Sequence, residues 1–257
     1  MRGSWTTVIP RLDRGIQGFF MDSAVKPRND ELRGSLFRCD GYSMKQYKLI
    51  IFDWDGTLMD SVPKIVRSML DATQALGWNQ LTEAAVRDVI GLGLPEAFAQ
   101  LFPDTKPEKF VELRAYYAQH YAVHNQTPSP LFDGVEKVLS HLQKMNYQLA
   151  VATGKSRKGL DRVWQEVSVA HYFMASRCAD ESQSKPAPHM VLEILEELKI
   201  APQQAVVVGD TEFDMEMAQR AGVDRIAVSY GSHAKDRLLR YAPIACLDHI
   251  SELMRYL

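Results

Sequence analysis

The residues able to do chemistry gather in four short stretches. LIIFDWDGTLMDS, residues 49–61, carries Asp53 and Asp55 two positions apart and Asp60 further on; GDTEFD carries Asp210 and Asp214; ATGKS holds Thr153, Gly154 and Lys155; SKPAP holds Lys185. Two carboxylates this close repel each other, and the remedy is a cation, a proton or a substrate charge. A lone DxDGT also reads as a solvated turn, because Asp and Gly are common turn residues. The four stretches together suit phosphoryl transfer, which needs an in-line nucleophile, neutralised phosphate oxygens and an acid for the leaving oxygen. Asp53 can attack phosphorus to form an aspartyl-phosphate. Asp55, past the strand end, can reach the leaving group. Asp53 and Asp210 are suitable ligands for the hard cation Mg²⁺, with Asp214 one helical turn later supporting them. The Thr153 hydroxyl, the Gly154 amide and the Lys185 ammonium would hold the other phosphate oxygens.

These residues need a frame that brings them to one place. Leu49, Ile50, Ile51 and Phe52 form an unbroken apolar run, the pattern of a strand covered on both faces. From Tyr47 onward, β-rich runs alternate with helical patterns, which predicts a parallel sheet with right-handed helical crossovers. Strands are expected over 48–52, 148–152, 205–208, 225–229 and 244–247. Val135, Val138, Leu139 and Leu142 fall at helical spacing, as do Val191, Ile194, Leu195 and Leu198, so two helices face the core. In open α/β sheets ligands bind beyond the carboxyl ends of the strands, where Asp53, Asp55, Thr153, Gly154, Lys155, Asp210 and Asp214 lie. Between Ser61 and Asp133 the alternation gives way to helical segments such as IVRSMLDATQAL and EKFVELRAYYAQHYAVH. The expected fold class is therefore α/β: a Rossmann-like core over 44–60 and 133–257, its mainly parallel sheet flanked by helices, with an all-helical insert over 61–132.

Composition narrows the partners. A net charge of −2 with no basic tract argues against nucleic acid. Cys39, Cys178 and Cys246 are few, odd in number and without a CxxC pair, which argues against a disulfide framework and favours the cytoplasm. No apolar run is long enough for a membrane span, and no apolar signal segment opens the chain. Residues 1–43 carry seven Lys or Arg against five Asp or Glu without sustained periodicity, and are expected to be a disordered extension. Translation from Met44 would retain every motif.

In order and spacing, DWDGT, the strand-ending Thr153, the lysine of SKPAP and the GDTEFD turn resemble the four motifs of the haloacid dehalogenase-like superfamily, over about 47–230. The resemblance implies Asp53 as nucleophile, Asp55 as general acid and base, and Thr153 and Lys185 as phosphate holders. It also implies Mg²⁺ held by Asp53, Asp210 and the Asp55 backbone carbonyl. Dehalogenating and phosphonate-cleaving relatives lack an acid at the place of Asp55, and the transport ATPases carry Lys there, which leaves a phosphatase or a phosphomutase. Thr57 resembles the phosphatases, since the sugar phosphomutases usually have an aliphatic residue there. The helical insert looks like the cap of the phosphoglycolate-phosphatase-like members, which implies a small phosphate ester as substrate, with its identity set by the cap. The expected function is a Mg²⁺-dependent phosphatase; a sugar phosphomutase is the alternative, and a catalytically idle binding protein fits the intact acid set poorly.

Other signals are weaker. TGKS lacks the glycine a nucleotide-binding P-loop needs five residues before Gly154, since Leu149 stands there. His120 and His124 are spaced for one helix face, but without an HExxH glutamate or a third ligand they are expected to face solvent. Lys155, Arg157 and Lys158 read as a solvated helix start, Trp54 as packing, and Asp60 and Ser61 as caps for a helix with Pro63 in its first turn. Gly91 and Gly93 read either as a loop near the substrate or as a helix break.

Overall fold

The computed structural model describes residues 47–78 and 81–257. Its centre is β1 (Leu49–Phe52), every residue of which is buried. The chain continues through α1 (Val62–Ala75), α2 (Glu83–Asp88), α3 (Leu94–Leu101) and α4 (Phe110–Gln119), then α5 (Val135–Lys144), β2 (Gln148–Thr153) and α6 (Arg157–Val167). It finishes with β3 (Ala175–Cys178), α7 (His189–Leu198), β4 (Ala205–Gly209), α8 (Glu212–Arg220), β5 (Asp224–Val228), α9 (Lys235–Leu239) and β6 (Cys246–Leu247). The six strands pair in parallel in the order β3-β2-β1-β4-β5-β6, a Rossmann-like sheet. Connections leave β1 towards β2 on one side and reach β4 on the other, so a crevice opens at the carboxyl ends of β1 and β4.

Side-chain alternation along the strands divides the core. Ile50, Phe52, Val151, Val206 and Val208 pack against Val138, Leu139 and Leu142 of α5 and Leu160 and Val163 of α6. Leu49, Ile51, Ala150 and Val207 pack against Met190, Val191 and Ile194 of α7 and Met217 of α8. This double covering is what the continuous LIIF run required.

Among the described residues between β1 and α5 the regular elements are helices, beside isolated bridges, and they have a core of their own built from Val62, Val66, Met69, Val86, Phe98 and Leu113. The outgoing and returning segments lie side by side where they leave the sheet: Asp60 donates to the Pro130 carbonyl at 2.8 Å and Phe132 to the Leu58 carbonyl at 3.0 Å. His120–His124 is a single π-helical turn that continues α4. His120 is half-buried there and His124 exposed.

Two sheet edges differ from expectation. The strand expected over 244–247 is only Cys246–Leu247, because Ile244 serves as a backbone donor to Arg225 outside the ladder. β3 was not expected: ASRC has no apolar alternation, and its Arg177 pairs with Glu193 and Glu197, each at 2.8 Å. The expected extension over 1–43 lies outside the described residues. Among the described residues no helix is long and apolar enough to cross a membrane.

Candidate active site

Asp53 follows β1 directly, and its amide continues the ladder by donating to Val208 at 2.9 Å. The chain then turns tightly, with Leu58 and Met59 both donating to the Trp54 carbonyl at 3.0 Å, which returns Asp55 over the strand end. Gly56 makes this possible. It has φ of +89°, and a Cβ there would lie 2.2 Å from Asp210 Oδ2. Trp54 points away from the acids into the core, fully buried against Trp164 and Phe173, as a packing residue should.

The sheet order brings Asp53, Asp210, Asp214 and Lys185 together. Lys185 Nζ is 2.5 Å from Asp53 Oδ1 and 2.7 Å from Asp214 Oδ1, with the lysine only 1% exposed. Asp210 accepts from the Thr57 hydroxyl at 3.0 Å and the Ser232 amide at 2.6 Å. Thr211 caps α8 and closes a reciprocal box with Asp214, whose Oδ2 accepts from the Thr211 amide at 3.0 Å and hydroxyl at 2.6 Å. Asp214 is thereby engaged on both oxygens. Asp53 Oδ2, in contrast, is buried with no hydrogen-bond partner among the described residues.

The electrostatics follow from this crowding. Burial pushes the Asp53 carboxyl up, Lys185 pulls it back, and Asp214 and Asp210 push it further up, leaving it above the usual carboxylate range. Burial, reinforced by Asp214, raises Asp210 to about 6. Lys185 is opposed by burial, yet Asp214 and Asp53 hold its ammonium above the ordinary lysine range. One oxygen from each of Asp53, Asp210 and Asp214 can be chosen so that all three lie within 4.8 Å of one another. Hard oxygens, excess negative charge and one orphaned carboxylate oxygen fit a divalent cation.

Thr153 ends β2 fully buried, its hydroxyl accepting from the Lys155 amide at 3.2 Å, and Gly154 follows. A Cβ on Gly154 would sit 2.5 Å from the Leu92 carbonyl oxygen and 2.6 Å from that of Gly91, so the 91–93 loop rests on this turn. The loop is also tied to the sheet by the Gly93 amide, which donates to Ser184 Oγ at 2.8 Å. Gly91 and Gly93 lie between α2 and α3, Gly93 as the N-cap of α3, and Gly91 lines the same cavity as Asp53.

Three expectations need correcting. Lys155 is not solvated: its side chain is 10% exposed, its Nζ lies 2.8 Å from Asp55 Oδ1, and it stands 5.2 Å from the centre of the Tyr121 ring. Burial works against its charge and Asp55 overcomes this, holding Lys155 above the usual lysine range. Ser61 makes no side-chain cap for α1; it is fully buried and donates its hydroxyl to Asp55. Arg157 is not a free helix-start cation either, since it pairs with Glu181 at 2.8 Å and Asp161 at 3.3 Å. Lys158 is exposed, as expected. Ser232, a further residue at the site, works through a backbone amide, which leaves no mark on residue type.

A cavity of about 1010 Å³ opens from these acids. Asp53, Asp55, Gly154 and Lys155 line one end, and residues of the helical insert, among them Met69, Val86, Ile90, Tyr117 and Tyr121, line the rest.

Comparison with known proteins agrees with this geometry. The family model described as haloacid dehalogenase-like hydrolase matches residues 50–228. A phosphoglycolate phosphatase from Vibrio cholerae is 30% identical over 82% of this chain and 97% of its own length. An N-acetylmuramic acid 6-phosphate phosphatase from Pseudomonas aeruginosa is 29% identical over 80% of this chain and 93% of its own. Among solved structures, a haloacid dehalogenase-like hydrolase from Streptococcus pneumoniae superposes with a TM-score of 0.70 at 26% identity, covering 82% of this chain and 98% of the other.

Proposed function

Since this chain belongs to the haloacid dehalogenase-like hydrolase family and is a phosphatase of the phosphoglycolate-phosphatase type, we propose that it hydrolyses a small phosphate monoester through an aspartyl-phosphate on Asp53, with Mg²⁺. The observation that carries this reading is Asp53, which lines the cavity at the end of the central strand and whose buried Oδ2 has no hydrogen-bond partner among the described residues. An unpartnered carboxylate oxygen beside a buried lysine is a nucleophile held at low solvation. Asp55, held by Lys155 and Ser61 over the same end of the cavity, protonates the leaving oxygen and then takes a proton from the hydrolytic water. Thr153, Gly154 and Lys185 bind the phosphate oxygens.

Asp53, Asp210 and the Asp55 backbone carbonyl would hold the cation, and Asp214 orients Lys185 and the start of α8. Mg²⁺ supplies charge neutralisation for the acids and the ester. Residues 61–132 act as the cap, and 44–60 with 133–257 as the catalytic core. The similarity to a phosphoglycolate phosphatase and an N-acetylmuramic acid 6-phosphate phosphatase supports a small-molecule phosphate ester.

The test is to trap labelled phosphate. Asp53→Asn should abolish turnover and labelling, because the amide cannot form the acyl phosphate. Asp55→Asn should slow turnover about 10²- to 10⁴-fold while label still reaches Asp53. Turnover by Asp53→Asn, label on another residue, or full activity in excess chelator would overturn the reading.

A further inference from the structure

The cavity is out of proportion to a phosphate and a two-carbon acid. Its volume of about 1010 Å³ stands at the top of the roughly 300–1,000 Å³ that sites enclosing drug-sized ligands occupy. A water takes about 30 Å³, so a very small ester would leave many waters between itself and the far wall. That wall is aliphatic: Met69, Val86, Ile90 and Leu94 of the insert all line the cavity, and the first three are buried. Of the cations beside the reacting acids, Lys155 is held by Asp55, and Arg157 by Glu181 and Asp161, while Arg114, Lys158 and Arg162 also line the cavity.

Building on the phosphatase reading above, we propose that the substrate's leaving group is bulky, about ten or more non-hydrogen atoms with an apolar face, seated against the wall formed by Met69, Val86, Ile90 and Leu94. Its burial excludes water from Asp53 and Asp55, and binding energy from this remote part serves to position the phosphorus.

The test uses two esters whose alcohols are of similar acidity, ethyl phosphate and 2-(1-naphthyl)ethyl phosphate, with phosphoglycolate alongside, all with Mg²⁺. The naphthyl ester should have a kcat/KM at least about tenfold above the other two, the scale a hydrophobic pocket achieves for added apolar groups. Filling the cavity with Ala97→Phe, or with Ala118→Trp at an exposed position that tolerates a large side chain, should collapse that ratio towards one. Equal or better turnover of ethyl phosphate or phosphoglycolate, or a ratio unchanged in Ala118→Trp, would overturn the inference. Size selectivity is read on the unmutated chain, so its failure is distinct from a failure of the Asp53 assignment, which the Asp53→Asn variant reports.

Discussion

Replacing Lys185 with Met keeps an unbranched side chain one atom shorter and removes the one cation found on Asp53 and Asp214 among the described residues. Three buried acids with oxygens within 4.8 Å of one another then face each other with no ammonium between them. At that separation and an effective dielectric of about 20, each pair of charges repels by about 3.5 kcal/mol. Breaking a buried ion pair from one side costs a similar amount, about 3–5 kcal/mol. At about 2–4 °C per kcal/mol for a chain of this size, melting in chelator should fall by about 6–20 °C. Mg²⁺ binds the folded state and now has more charge to neutralise, so it should raise the variant's melting temperature more than the parent's. Turnover should fall about 10²- to 10³-fold, as when one donor to a transition-state oxyanion is removed. Differential scanning calorimetry with and without Mg²⁺, beside a phosphate-release assay, measures all three. A variant that melts within about 2 °C of the parent in chelator, or that gains no more from Mg²⁺ than the parent, would refute the claim that Lys185 offsets the charge of these acids.

Other perturbations probe the surrounding contacts. Gly154→Ala places a methyl 2.5 Å from a backbone oxygen of the 91–93 loop; it should cost about 1–3 kcal/mol in urea unfolding, and normal stability and activity would show that the loop does not rest on this turn. Ser61→Ala removes the hydroxyl that holds Asp55; kcat should fall by about tenfold, near 1–1.5 kcal/mol, with KM unchanged, and a loss confined to KM would count against the positioning role. Burial pushes the Cys178 thiol up to about 12, so at pH 8 only about one in 10⁴ would be thiolate. Site-resolved mass spectrometry should find Cys178 resistant to iodoacetamide until the chain unfolds, and rapid labelling of the folded protein would contradict its burial.

The particular residues show where local pattern carries information. LIIF announces a strand covered on both faces because it leaves no polar residue for solvent, and the acids that follow it must then lie at a strand end. α5 and α7 are legible in the same way, since each shows one apolar stripe at helical spacing, and GDTEFD contains the capping residues of α8 within itself. Contacts between distant segments are different. ASRC becomes a strand only because β2 offers it a free edge to pair with, and nothing in its own composition says so. Lys155 opens a helix like any solvated lysine, but Asp55 and the Tyr121 ring, carried in from a different part of the chain, draw it inward. Ser61 precedes Val62 and Pro63 like a helix cap, and the turn after β1 brings Asp55 to it first. The type and spacing of residues thus determined which faces are buried and which groups end the strands, because burial and periodicity are properties of a short segment. Which acid meets which cation was decided by the order of β2, β1 and β4 in the sheet, because those partners come from segments far apart in the chain and only the packed structure brings them within bonding distance.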